Sequence, residues 1–168
     1  MKKIVIVFIF FLFNCVNVFA DSSNEIKRII VGNKSAKITI ITYESLTCSH
    51  CANFHIDVYP ELKKDYIDTG LAKIEFRHFP LDVAAFNASK VSQCKNDGKP
   101  GILNSLYLRQ SKWAKGNSIE EVNENLKKFL KLKKINYEKN QNINNKKIED
   151  YIWNDRIAGE KKFNINAT

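Results

Sequence analysis

The sequence predicts an α/β fold in which a βαβ unit is followed by a helical insertion. Residues 37–43 are β-branched and aromatic and almost continuously apolar, which is typical of a buried parallel strand. Residues 71–79 alternate between apolar and polar side chains up to Pro80, which indicates a second strand. Between the two runs, apolar residues recur at four-residue steps, as on one face of a helix: Phe54, Val58 and Leu62. A βαβ crossover is right-handed in nearly all known cases.

The remaining elements are expected to be helical. The helix after the first strand is expected to run from Cys48 to about Ile67, with a kink at Pro60. Further helices are expected at 83–95, 102–113 and 146–162. Another is expected to begin at the capping box of Ser118 to Glu121. The chain then divides into a signal peptide at 1–20, a lead-in at 21–36, the βαβ unit at 37–82, a helical insertion at 83–145 and a returning helix at 146–168.

The first 20 residues have the features of a secretory signal peptide. Lys2 and Lys3 form a basic start, ten apolar residues follow at 4–13, and a small residue stands at Ala20. The apolar run is shorter than the ~20 residues of a membrane span, so cleavage after Ala20 is expected. An uncleaved anchor and a lipoprotein modified at Cys15 are the alternatives. Cleavage implies an exported protein in an oxidising location and leaves Cys48, Cys51 and Cys94.

The basic excess is concentrated in one stretch. The chain has 27 Lys and Arg against 18 Asp and Glu, a net charge of +9, and Lys127 to Lys147 holds eight lysines and one acid, Glu138. This pattern indicates a solvated lysine-rich face, and the alternative is weak attraction to an anionic membrane surface or an acidic partner. No nucleic-acid partner is expected, because the lysines are not interleaved with aromatic side chains on one face.

A Cys-Ser-His-Cys motif stands at the predicted junction between the first strand and its helix. Thiol–disulfide exchange needs a thiolate, and the unpaired N–H groups and dipole of a helix N-terminus stabilise an anion. Cys48 at the tip is therefore open to attack, and Cys51, one turn deeper, can resolve a mixed disulfide. His50 adds a positive charge or a hydrogen-bond donor beside the thiolate. The candidate catalytic residues are Cys48, Cys51 and His50.

Two other interpretations use the same cysteines. A structural disulfide between residues three apart closes a very small loop and constrains little unfolded-chain entropy. A metal site lacks a second ligand pair at zinc-finger spacing, although it could draw on Cys48, Cys51, His50, His55, His78 or Cys94. His55 and His78 are expected instead to be held by neighbouring groups. The pattern favours redox chemistry, with no cofactor and no metal ion.

Residues 45–55, together with the strand exit at 79–82, resemble the DsbA-like branch of the thioredoxin superfamily, which contains bacterial periplasmic thiol:disulfide oxidoreductases. The resemblance covers residues 38–168 and implies a thioredoxin domain interrupted by a helical insertion, with Cys48 attacking and Cys51 resolving. It implies an enzyme that donates its disulfide to reduced exported proteins and is reoxidised by a membrane redox partner. A disulfide isomerase or reductase, and a non-catalytic envelope protein with a structural or metal-binding CxxC, are the alternatives.

The sequence differs from that family in the position of a buried acidic residue and in its C-terminal residues. Many relatives carry a buried acid six residues before the first cysteine, where this chain has Thr42, and Glu44 is the substitute candidate. Cys94 falls on the first insertion helix and is expected to pack as a small hydrophobe. Residues 163–168 resemble the approach to a cis-proline loop. The chain is therefore expected to be truncated before that loop, the hairpin and the final helix, with a βαβ unit that supplies only two strands.

Overall fold

Three strands and a series of helices make up the part of the chain that the structure describes. The computed structural model describes residues 25–135 and 145–165. The strands are β1 (Ile29–Gly32), β2 (Ile38–Glu44) and β3 (Ala72–His78). The strands predicted at 37–43 and 71–79 are thus confirmed, each with its bounds shifted by one residue. The burial expected of the first strand is wrong: β2 is an outer strand of the described sheet, Glu44 is its one buried residue, and Ile38 and Ile41 are 59% and 37% exposed.

The sheet is mixed, and β3 is its central strand. The strand order is β1-β3-β2, with β2 parallel to β3 and β1 antiparallel to it. Glu44 and His78, the last residues of the two parallel strands, are partners in the register. Both side chains are buried, so two ionisable groups lie together at the carboxyl end of the sheet, where the CxxC motif follows β2.

The expectation of only two strands is wrong, because β1 lies in the segment 21–36, which was expected to be a lead-in. A strand of four residues is too short to show an alternation that distinguishes it from a loop. It ends at Gly32, whose φ of +108° favours glycine. A Cβ there would lie 2.8 Å from Cγ2 of Ile67, so glycine also allows the close approach of β1 to the helix that follows β2.

Residues 49–67 form the CxxC helix, which alternates between α-helical and π-helical turns. Its segments are α1 (Ser49–Asn53), a π-helical turn (Phe54–Val58), α2 (Tyr59–Leu62) and a second π-helical turn (Lys63–Ile67). The helix predicted from Cys48 to about Ile67 is therefore confirmed. Pro60 lies in the first turn of α2, and the expected distortion takes the form of the π-helical turn before it.

The insertion is helical, as predicted. Its helices are α3 (Val83–Gln93), α4 (Gly101–Leu108), α5 (Gln110–Trp113) and α6 (Ile119–Leu132), and the returning helix is α7 (Asn145–Phe163). The capping box is confirmed, because the Ser118 hydroxyl accepts the Glu121 N–H at 3.2 Å. The single helix expected at 102–113 is wrong, because Arg109 adopts φ −127° and ψ 21° and separates α4 from α5.

The main core lies between one face of the sheet and the helices α1–α6. Its largest fully buried side chains are Trp113 and Tyr107, which are 0% and 1% exposed. Helix α7 packs against α3 and β3 through a smaller cluster around Ile148 and Ile152. The predicted fold class, a thioredoxin-like βαβ unit with a helical insertion, is confirmed.

Two expectations concern residues outside this description. Within residues 25–135 and 145–165, no helix has both the length and the apolar character needed to cross a membrane. The signal peptide, with Cys15, and the continuation expected after Thr168 lie outside the described residues and stay predictions.

Candidate redox site

Cys48 caps the amino-terminal end of the CxxC helix. Its backbone is extended, with φ −75° and ψ 121°, and its carbonyl accepts the N–H of Ala52 at 3.1 Å. The first-turn N–H groups therefore lie beside a partly exposed thiol, and the first turn of α1 contains no acidic residue. Unpaired N–H groups and the helix dipole attract negative charge, so this end of the helix is suited to an anionic group.

Cys51 lies one turn further into the helix and is the harder thiol to ionise. Burial raises the pKa of Cys51 from 9.0 to about 12, and a hydrogen bond to the Ser45 backbone opposes this effect. The hydrogen bond and charge of Cys48, and the charge of Glu44, raise it further. Both cysteines are free thiols in this structure. The pair is thus unequal, with one thiol at the helix end and the other in a desolvated position.

The redox loop, residues 45–48, is tied to the chain just after β3. The Thr47 hydroxyl donates to Asp82 at 2.6 Å, and the other carboxylate oxygen of Asp82 caps α3. The Ser45 hydroxyl accepts the N–H of Leu81 at 3.3 Å. These bonds join the loop after β2 to the segment 79–82, the two segments on which the family resemblance depends.

Next to Cys51 lies a buried polar cluster of Glu44, His55 and Tyr107, named here the Glu44 cluster. Nε2 of His55 lies 2.8 Å from Oε2 of Glu44, and the His55 ring stacks on Tyr107 at 4.1 Å between centroids. The side chains of Glu44 and His55 are only 6% and 1% exposed. Oε1 of Glu44 and Nδ1 of His55 have no hydrogen-bond partner among the described residues. Burial and the charge of Glu44 raise the pKa of Tyr107, the third member of the cluster.

The charge of Glu44 raises the pKa of Cys51, and the role of Glu44 as the substitute for the acid of the relatives stays a prediction. Thr42, at the position where many relatives carry an acid, is half-buried, and its hydroxyl donates to the Glu75 carbonyl at 3.5 Å. Thr42 therefore makes a contact within the sheet. The buried carboxylate near Cys51 belongs to Glu44, the last residue of β2.

The other candidate histidines lie in different environments. His50 is exposed on α1 between the two cysteines, and its catalytic role stays a prediction. His78 is buried, and its Nε2 lies 3.1 Å from the Gln93 amide nitrogen. Burial, together with the charge of Arg28, lowers the pKa of His78 to about 3. As expected, His55 and His78 are held by neighbouring groups.

Cys94 is a core residue with a free thiol. It follows α3, is 3% exposed and belongs to the main core cluster, as expected of a small hydrophobe. Burial raises the pKa of its thiol. Among the residues described, no group of three or more His, Cys, Asp or Glu side chains is arranged to hold a metal ion.

Two residues of the site had no signal in the sequence, Tyr107 and Gln110. Tyr107 lies under His55, and the Gln110 amide donates to the backbone of the redox loop. Gln110 is 64 and 62 residues away from its two partners along the chain. Spacing rules relate only residues within one helix or strand, so neither contact could be found from the sequence pattern.

Comparisons with known proteins show the family to which this chain belongs. The family model described as Thioredoxin matches residues 24–168, and the chain belongs to the thioredoxin family. The crystal structure of Wolbachia pipientis alpha-DsbA1 is 31% identical and has a TM-score of 0.71, and the match covers 84% of this chain and 71% of that chain. The chain is therefore DsbA-like, and the resemblance stated from residues 45–55 is confirmed.

Relatives found by sequence carry related names. A putative protein-disulfide oxidoreductase of Rickettsia conorii is 35% identical over 95 residues, which are 55% of this chain and 34% of the relative. A probable disulfide bond formation protein D of Bacillus anthracis is 24% identical over 160 residues, covering 89% of this chain and 73% of the relative. The match thus spans about a third of the length of the Rickettsia relative.

Proposed function

We propose that the protein is a periplasmic thiol:disulfide oxidoreductase that donates the Cys48–Cys51 disulfide to reduced exported proteins. The observation that carries the proposal is the unequal pair, with Cys48 at a helix N-terminus and Cys51 desolvated one turn deeper. The names of the Rickettsia and Bacillus relatives agree with this chemistry. The periplasmic location is supported by the signal-peptide features of residues 1–20.

The first step is attack on Cys48. A substrate thiolate attacks the Cys48 sulfur, the Cys48–Cys51 bond breaks, and a disulfide forms between substrate and Cys48. Cys51 leaves as a thiolate and takes up a proton, because burial raises its pKa to about 12. The negative charge of Glu44 favours the same protonated form of Cys51.

The second step releases the oxidised product. A second substrate thiolate attacks the substrate sulfur of the mixed disulfide, which forms the substrate disulfide and releases Cys48 as a thiolate. The N-terminal end of the CxxC helix stabilises this leaving group. The two electrons remain on the Cys48–Cys51 dithiol, so a membrane redox partner must accept them to restore the disulfide.

The test is the transfer of a disulfide from the purified, oxidised chain to a reduced model protein. Cys48→Ser should abolish transfer. Cys51→Ser, first converted by oxidised glutathione to the Cys48–glutathione mixed disulfide, should exchange glutathione for a model protein with a single thiol and hold that protein as a mixed disulfide on Cys48. Cys94→Ala is the matched control, because Cys94 lies in the core and should affect only packing. Transfer that survives Cys48→Ser but is lost with Cys94→Ala would overturn the site assignment.

The direction of the reaction is tested by equilibrium with glutathione. A donor should favour the reduced pair, since the stabilised Cys48 thiolate exists only in the reduced state. An equilibrium that favours the disulfide would instead indicate a reductase or isomerase and overturn the proposed direction. Metal analysis of the same purified protein tests the metal-binding alternative, which predicts a bound ion at the two cysteines.

A further inference from the structure

The Gln110 side chain joins the helical insertion to the redox loop. Its Nε2 donates to the carbonyl of Leu46 and to the carbonyl of Cys48, both at 2.9 Å. A carboxamide nitrogen has two hydrogens, so each carbonyl receives one of them. Both acceptors belong to the backbone, and one of them is the carbonyl of the attacking cysteine itself.

The break between α4 and α5 places Gln110 in this position. Arg109 leaves helical geometry, with φ −127° and ψ 21°, and Gln110 is the first residue of α5. Helix α5 is held in the core by Trp113, which is 0% exposed and donates its indole N–H to the Leu106 carbonyl at 2.9 Å. The half-buried Gln110 amide is therefore presented to the redox loop from a rigid support.

The contacts of Gln110 act on a loop that is already held from its other side. Thr47 binds Asp82, while Gln110 binds the carbonyls on either side of Thr47. Carbonyl oxygens carry partial negative charge, and two of them lie within the backbone that leads to the Cys48 thiol. The amide hydrogens of Gln110 offset that charge, which matters more when Cys48 is a thiolate than when it is part of a neutral disulfide.

We propose that Gln110 is a positioning residue of the redox pair, which acts through the carbonyls of Leu46 and Cys48 to stabilise the reduced form over the disulfide. The inference rests on the proposed function and deepens it, because the insertion would then set how strongly the pair oxidises its substrates. Gln110 takes no part in bond making or breaking.

The experiment compares substitutions of Gln110 that differ in their donors. Gln110→Met keeps the length of the side chain and removes both donors, and it should shift the glutathione equilibrium about fivefold toward the disulfide. Gln110→Lys restores donors at a similar reach and should return the equilibrium to the wild-type value or beyond it. The rate of Cys48 alkylation at fixed pH should fall in Gln110→Met and recover in Gln110→Lys, since the thiolate is the reacting form.

The matched control is Gln93→Met on α3, which removes a buried amide that contacts His78. This variant should lower the unfolding temperature and leave the glutathione equilibrium unchanged. An equilibrium that shifts equally in Gln93→Met and Gln110→Met, or that stays within about twofold of wild type in Gln110→Met, would overturn the inference. A wild-type pair that equilibrates with glutathione but oxidises no reduced protein would overturn the proposed function and leave the role of Gln110 standing.

Discussion

Two buried carboxylates stand near the carboxyl end of the sheet, and their surroundings differ. Glu44 ends β2, and its Oε2 lies 2.8 Å from Nε2 of His55. Asp155, on α7, accepts a hydrogen bond from the Arg28 side chain and another from the His78 backbone N–H at 3.1 Å. Each oxygen of Asp155 therefore has a donor, whereas Oε1 of Glu44 has none among the described residues.

The difference separates a structural carboxylate from one that is available for chemistry. Burial raises the pKa of Asp155, and the bonds from Arg28 and the His78 backbone oppose that rise. Asp155 thus joins the chain before β1, the end of β3 and α7 through one side chain. Glu44 joins β2 to the CxxC helix through His55, and its charge acts on Cys51 and Tyr107. Two acids of similar burial therefore differ in role because one has both oxygens engaged.

The largest expected effect comes from breaking the Asp155 contacts. Asp155→Asn should lower the free energy of unfolding by roughly 3 kcal/mol, because the carboxamide NH₂ then faces one of the two donors. Denaturant unfolding measures the loss. Asp150→Asn is the matched control on the same helix, since its exposed pair with Lys146 should contribute little. Equal stability of the two variants would contradict a structural role for Asp155.

A second effect tests His78, whose backbone N–H donates to Asp155. Its pKa is lowered to about 3, so the unfolded chain binds a proton below pH 6.5 that the folded chain does not bind. Stability is therefore lost as the pH falls below 6.5, by about 2 kcal/mol at pH 5 from this group. His78→Gln should flatten that part of the stability profile. A profile of the same slope in both proteins would show that the pKa of His78 is not lowered in the folded state.

A smaller effect tests the link between Glu44 and Cys51. In a Cys48→Ser background, Glu44→Gln removes a negative charge that raises the pKa of Cys51. Alkylation of Cys51 at pH 9 should then become about threefold faster, because more of the thiol is ionised. Glu61→Gln, an exposed change on α2, provides the control. An alkylation rate that falls, or that changes equally in the control, would contradict the proposed effect of the Glu44 charge on Cys51.

The smallest effect is expected from exposed charge. Lys127, Lys131 and Lys134 are exposed on or just after α6, in the lysine-rich stretch. Replacing the three with Gln should leave turnover of a small dithiol substrate unchanged, because solvent screens charges far from the site. A loss of about tenfold on that substrate would mean that exposed charge acts on the redox pair as buried charge does.

Local patterns predicted the parts of the molecule that depend on neighbours in the chain. The strand at 37–43, the helix from Cys48 and the capping box at Ser118 each have a spacing rule, and the structure contains all three. The strand β1 was missed because four residues are too few for a period. The break at Arg109 was missed because the helical pattern continues through it.

The sequence by itself determined that two cysteines stand at a helix N-terminus that follows a strand, because helix and strand periods and the CxxC spacing are local properties. That the strand is an outer one and mostly exposed was decided by the order of the strands in the sheet. Only the tertiary structure decided what surrounds them. His55 meets Tyr107, Gln110 reaches the redox loop and Arg28 meets Asp155 across 127 residues of chain. These contacts arise from the packing of separate elements around one core, and no spacing along the chain encodes them.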